Sequence, residues 1–236
     1  MLPALKIFLC YAILSPVAAL LGFPWTLITG DITFLYRFSM WIAKKGVEWA
    51  GIRVRVSGLE NIPSRRPCIF MANHVSNLDP PVLLPAIPGR TAVFVKKELM
   101  KIPFMGAAMR MGGFVAVERN RGPEAAKESI ERGARVLASG VHITSFPEGT
   151  RSRTGHLLPF KKGPFYLAQQ TNAPIIPVSI FGTESMMRKG SLKLVPGEAF
   201  LHFHSPLLAE HYASREELML AVREKISSSL PEWMRN

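Results

Sequence analysis

Cysteine is scarce in this chain: Cys10 and Cys68 are the only two in 236 residues. That excludes a disulfide framework and a zinc cage built of thiolates, and it fits a reducing compartment. Charge is thin as well, at 19% of residues, and one sign is short. Asp and Glu number 17 against 29 Lys and Arg, a net of +12 with a sequence pI near 10.1. A hydrophobic share of 48% excludes a disordered chain, which needs low hydrophobicity and high net charge. No internal repeat, low-complexity tract, helix-turn-helix, zinc or aromatic-platform signature is present, so the high pI does not by itself make a nucleic-acid binder. What is there is an apolar excess joined to positive charge, the pairing of a surface that meets anionic lipid or phosphate. The length suits one domain and an appendage of about 50 residues.

The apolar excess is uneven. Ile7 to Gly30 gives 24 residues without a charge, 17 of them hydrophobic. A straight helix of that length reaches ~36 Å, enough for a hydrocarbon core of ~30 Å. Pro16, Gly22 and Pro24 are expected to interrupt it. From Ile32 to Trp49, a helical projection gathers Thr33, Arg37, Lys44 and Glu48 on one side and Leu35, Phe38, Ile42 and Trp49 on the other. Trp25, Trp41 and Trp49 all fall within the first 49 residues, which read as helices lying in a membrane surface. Two other readings stay open. Met1 to Ala19 has the shape of a secretory signal, with Lys6 ahead of the apolar stretch and Val17-Ala18-Ala19 as the cleavage site. Both stretches also suit core helices of a soluble domain. Membrane attachment is the favoured expectation, with residues 1–50 as membrane-associating helices and 51–236 as an α/β domain.

In the second part, short apolar runs alternate with helical patterns. Strands are expected at Arg53–Val56, Cys68–Met71, Thr91–Val95, Phe114–Val117, His142–Phe146, Ile175–Phe181, Leu192–Val195 and Ala199–Phe203. Helices are expected at Pro80–Leu84, around Phe104–Met111, and at Glu124–Ser139, Pro164–Gln170 and Ser214–Ser228. Chemistry in such folds gathers at strand ends.

After Met71 the chain reads Asn73-His74-Val75-Ser76-Asn77-Leu78-Asp79. Folded back through a turn, the Asp79 carboxylate would fix the His74 tautomer and leave the other ring nitrogen as a general base. Ser76 lies nearby but lacks the G-x-S-x-G elbow of a serine hydrolase, so a substrate hydroxyl is the expected nucleophile. After Phe146 comes Pro147-Glu148-Gly149-Thr150-Arg151-Ser152-Arg153. Its arginines suit a phosphate, because a guanidinium fork matches phosphate oxygens and stays charged. Gly113 to Arg119 puts Arg119 at the end of a strand, and Pro177 in Ala173–Val178 suggests an edge strand or a ligand groove. His202 and His204 share a strand face, a metal-like spacing with no acidic partner in view.

In this order the four blocks, NHVSNLD, GFVAVER, FPEGTRS and APIIPVSI, resemble the glycerolipid acyltransferase family, and within it the 1-acylglycerol-3-phosphate acyltransferases. The likeness runs from about Ile52 to Phe203. It implies a mixed β-sheet flanked by helices, as in glycerol-3-phosphate acyltransferases, behind an N-terminal two-helix membrane segment. By position it makes His74 the base and Asp79 its partner. Glu148, Gly149, Thr150 and Arg151 would line the acceptor site, Arg119 would bind its phosphate, and Lys96 or Lys97 would add charge. The implied reaction moves an acyl group from acyl carrier protein or coenzyme A to the sn-2 hydroxyl of lysophosphatidic acid, with no cofactor, metal or acyl-enzyme. Phosphatidic acid for phospholipid synthesis is the product. Anionic membrane lipid would be a partner and the cytoplasmic face of a bacterial inner membrane the setting. Another lyso-phospholipid or glycerol 3-phosphate as acceptor, and a non-catalytic lipid-binding protein, remain the alternatives.

Overall fold

The computed structural model describes residues 2–117, 122–188, 190–191 and 193–235. Two helices open the chain, α1 (Leu2–Thr29) and α2 (Thr33–Trp49). The strands that follow are β1 (Ile52–Ser57), β2 (Ile69–Ala72), β3 (Thr91–Lys96), β4 (Val115–Val117), β5 (His142–Ser145), β6 (Ile175–Phe181) and β7 (Gly197–Phe203). Interleaved with them are α3 (Asp79–Leu83), α4 (Met105–Met111), α5 (Gly122–Ala138), α6 (Gly163–Thr171) and α7 (Thr183–Met186), and α8 (Arg215–Ser228) comes last.

The strands form one mixed sheet in the order β1-β7-β6-β2-β5-β3-β4. From β6 to β4 all neighbours are parallel, whereas β7 runs antiparallel to β6 and parallel to β1. The central strands are apolar on both faces, as a sheet covered on two sides requires. Phe70 and Ala72 of β2 pack into one core with Val82 and Leu83 of α3 and Val47 of α2. Ile69 and Met71, on the opposite face, join a second core with Phe165 and Leu167 of α6 and Leu218, Val222 and Ile226 of α8. Each such fully buried side chain contributes roughly 1.5–3 kcal/mol over its exposed state.

This layering places the site. After β2 the chain leaves through α3 on one face of the sheet; after β5 it leaves through α6 on the other. Because β2 and β5 are adjacent and parallel, their C-terminal ends open a crevice where the winding reverses. The His74 and Glu148 segments both start there.

Three sequence expectations need correction. The apolar N-terminal run is not interrupted: Pro16 and Pro24 sit inside one continuous helix of 28 residues, about 42 Å long. A long contact with α2 outweighs the two missing ladder bonds. The helices approach so closely that a Cβ on Gly22 would lie 2.6 Å from Leu35, and one on Gly46 would strike the Tyr11 ring. Residues 193–195 form no strand; Val195 instead donates its N–H to the Met186 carbonyl at the end of α7. Pro177 lies in a central strand rather than at an edge. It is accommodated because the β6–β7 ladder begins one residue later, at the Val178–Phe203 pair. There the His204 N–H donates to the Pro177 carbonyl, and the return bond that proline cannot make falls at the ladder's end.

Candidate active site

The segment from His74 to Asp79 folds around the aspartate. Asp79, fully buried at the first residue of α3, gathers donors on both carboxylate oxygens. Oδ2 accepts from the backbone N–H groups of Val75 and Ser76, each at 2.8 Å, and from His74 Nδ1 at 2.7 Å. Oδ1 accepts from the Thr183 hydroxyl at 2.6 Å. Since Asp79 acts as acceptor throughout, Nδ1 carries the proton and Nε2 holds the lone pair of a base. The imidazole stacks on Phe146, with ring centroids 4.2 Å apart and planes at 25°, and its side chain keeps 18% exposure. It is therefore held on two sides and open to a reactant.

The second segment clamps the first. Glu148 Oε1 accepts from the His74 N–H at 2.6 Å, and its Oε2 from the Leu158 N–H at 2.9 Å. The His74 carbonyl in turn accepts from the Ser152 N–H at 2.8 Å. Both backbone groups of His74 are thus held by the loop after β5. Burial pushes the Glu148 carboxyl up to about 7; the two N–H donors oppose that rise, Asp79 adds to it and Arg223 counters it. Gly149 has φ +70°, which lets the Phe146–Gly149 turn close, with a bond from the Gly149 N–H to the Phe146 carbonyl at 2.9 Å. Asn73, also buried, bridges β2 to β6 by bonding both backbone groups of Ile180.

Of the residues singled out by sequence, His74, Asp79 and Glu148 are brought together by direct bonds. Glu148 differs in role from the expectation that it lines an acceptor site, because its carboxyl is committed to two backbone donors inside the protein. Thr150 is exposed and Arg151 half-buried on the loop whose next residue, Ser152, bonds His74. Lys96 ends β3 and Lys97 follows it, both exposed, at the same end of the sheet as His74. Arg119 lies outside the described residues, two positions beyond the end of β4. Ser76 is no nucleophile for His74: its hydroxyl donates to the Met187 carbonyl at 2.7 Å, and the residue is buried. His202 and His204 engage the hydroxyls of Ser57 and Ser179, and no cluster of three metal-ligating groups occurs among the described residues. A groove of about 570 Å³ between α2, β1 and α3 is lined by none of the candidate residues. Sequence reasoning missed Asn73, Phe146 and Thr183; the one signal for the last was a Gly-Thr pair closing an apolar strand.

An acyltransferase family model matches residues 53–181, a range that runs from before His74 to beyond Arg151 and stops short of Thr183. The chain belongs to the 1-acylglycerol-3-phosphate acyltransferase family. It is 32% identical over 94% of its length to the chloroplastic 1-acyl-sn-glycerol-3-phosphate acyltransferase of Brassica napus, of which it spans 66%. Against the 1-acyl-sn-glycerol-3-phosphate acyltransferase of Limnanthes douglasii the identity is 32%, over 88% of this chain and 74% of that one. The crystal structure of the 1-acyl-sn-glycerophosphate acyltransferase PlsC of Thermotoga maritima superposes with a TM-score of 0.81 at 32% identity, covering 95% of this chain and 92% of that chain.

Proposed function

We propose that this chain transfers a fatty acyl group from an acyl thioester to the sn-2 hydroxyl of 1-acylglycerol 3-phosphate, giving phosphatidic acid. The observation that carries the reading is the His74 Nδ1–Asp79 bond, which leaves Nε2 as a fixed base at the crevice between β2 and β5. Nε2 takes the hydroxyl proton as the oxygen attacks the thioester carbonyl. The tetrahedral adduct collapses, the C–S bond breaks, and the imidazolium returns the proton to the departing thiolate. Such general-base help is typically worth ~10²–10⁴ in rate, so positioning and oxyanion donors must supply the rest. Lys96 or Lys97 at the C-terminal end of β3 and Arg151 on the loop after β5 provide the cationic rim for the acceptor phosphate, and Arg119 is assigned to the same phosphate from its place in the sequence alone. Acyl carrier protein and coenzyme A thioesters both suit a basic mouth as donors.

The same reading puts residues 1–50 in a membrane, with the catalytic domain on the cytoplasmic face of a bacterial inner membrane. In the most apolar 18-residue window of α1 only 11% of residues are buried, and Leu20, Leu27 and Ile28 stand exposed on it. Trp25, Phe34, Phe38 and Trp41 form an aromatic row along the hairpin, with neighbouring rings 5.7–6.4 Å apart. Ile102 and Phe104, exposed between Lys101 and α4, and Met105 at the start of α4 add a second apolar surface beyond the end of β3.

An acceptor panel assayed with both thioesters tests the reading. Lysophosphatidic acid should give the highest kcat/KM, and His74→Ala should abolish turnover while circular dichroism stays unchanged. A variant within about tenfold of the parent would remove His74 as the base. Arg151→Ala should raise KM for the phosphorylated acceptor more than for the donor, with Lys rescuing only in part. Equal effects on both substrates would make Arg151 a loop-holding residue instead.

A further inference from the structure

We infer that Thr183 is a positioning residue of the acyl-transfer site, acting through Asp79 on the orientation of the His74 base. The inference rests on the general-base reading and deepens it. Three of the donors to Asp79 come from its own segment, and all three converge on Oδ2. The bond recorded to Oδ1 comes from Thr183, which lies 104 residues further along the chain and is fully buried. Rotation about the Asp79 Cβ–Cγ bond moves both oxygens together, so the hydroxyl on Oδ1 sets where Oδ2 points. Without it, Oδ1 has no other hydrogen-bond donor among the described residues, and a buried carboxylate so stranded turns to find one. That turn loosens the bond that holds the imidazole.

The fold makes a device for this contact. β6 ends at Phe181, and Gly182 turns the chain at φ +92°, where a Cβ would run into the Glu198 carbonyl of β7. Glycine at that point lets Thr183 enter the crevice beside β2. The far end of the same short helix is tied to the His74 segment as well, because the Met187 carbonyl accepts from the Ser76 hydroxyl. α7 therefore grips the loop at both ends of the Asp79 turn, once through the carboxylate and once through the serine that follows Val75. The carboxyls of Glu148 and Glu184 also feel the Asp79 charge, so the variants below leave both in place.

Thr183→Val keeps the shape and removes the donor. It should lower kcat about tenfold per folded molecule, leave KM for acceptor and donor within twofold, and move the acid limb of the kcat/KM profile. Thr183→Ser should restore kcat to within about threefold. In an Asp79→Asn background, Thr183→Val should cost less than twofold, because the carboxylate through which it acts is gone. The proposal is overturned if the valine chain turns over within twofold of the parent. It is equally overturned if its loss leaves the acid limb in place and simply multiplies the Asp79→Asn loss, as a structural defect would. If the valine chain does not fold, Thr183→Ala against Thr183→Ser carries the same comparison. His74→Ala, run alongside, separates the two levels: a fully active alanine variant sinks the general-base reading, whereas an inactive one beside a normal valine variant sinks only the role of Thr183.

Discussion

Glu148 holds the His74 segment through both carboxyl oxygens, which makes its charge state a structural variable. Glu148→Gln keeps the size but sets an NH₂ against one of two N–H donors, at a cost of roughly 1–3 kcal/mol. For a chain of this length each kcal/mol moves the melting midpoint by about 2–4 °C, so a fall of several degrees is expected by circular dichroism in detergent, with turnover falling alongside. The pH dependence has a definite sign. The carboxyl is raised in the folded chain from an ordinary 4.5 to about 7, so the folded state holds its proton more tightly than the unfolded one. That stabilisation is complete below 4.5 and is lost as pH rises through about 7. Midpoints of the parent and the Gln variant should therefore draw together between pH 5 and pH 8; a gap that widens would mean the carboxylate is the better-held form. The sequence made His74, Asp79 and the cationic loop legible because their spacing is local. It did not show that Glu148 would take the His74 and Leu158 N–H groups, since nothing in Phe-Pro-Glu-Gly reveals which way a carboxylate turns. The role of Thr183 was hidden for a related reason, since a Gly-Thr pair does not tell that its partner, Asp79, lies beyond a different strand end.

Among the elements, the buried strands were readable because an apolar run with both faces covered has one natural setting, and Ile175–Phe181 matches its expected bounds. α7 escaped notice because four residues carry no helical period. Residues 193–195 misled because local alternation cannot say whether a neighbouring strand is there to pair with. The α1–α2 hairpin is the instructive case: proline counted locally forbids what glycine at the helix contact permits. Gly46 lies against the Tyr11 ring, and no side chain fits between them. Gly46→Leu should therefore force the helices apart while sparing the sheet. Cys10, fully buried in the parent, reports this directly. Its labelling by a maleimide in detergent, followed by peptide mapping, should speed up at least about tenfold, while Cys68, buried just ahead of β2, stays protected. Unchanged protection of Cys10 would mean that α1 is held by the body of the protein rather than by α2.

For the whole molecule, the proposed membrane placement of the hairpin turns on the register of its two helices. Tyr11 lies at Gly46 and Leu35 at Gly22, so antiparallel positions sum to the same number at both contacts. Arg37 then stands level with Leu20 of α1, and Lys44 with Ile13, near the middle of the apolar helix. If α1 crossed the bilayer upright, α2 would carry both cations to mid-depth, at roughly 2.5–3.5 kcal/mol each on insertion scales. A hairpin lying in one leaflet avoids that cost. In that placement its aromatic row and exposed α1 residues would face the acyl chains, with Arg37 and Lys44 among the headgroups. The continuous helix thus removes the argument from broken spans, and the charge register supplies a stronger one for the same placement. Single cysteines at Leu2 and at Thr29, the two exposed ends of α1, decide it. In sealed vesicles an impermeant thiol reagent should reach both only from the side that carries the catalytic domain. Leu2→Cys and Thr29→Cys labelled from opposite sides would mean that α1 spans, and that Arg37 and Lys44 are sheltered by some means other than the headgroup layer. Salt should weaken vesicle binding only in part, because the apolar face contributes without regard to screening.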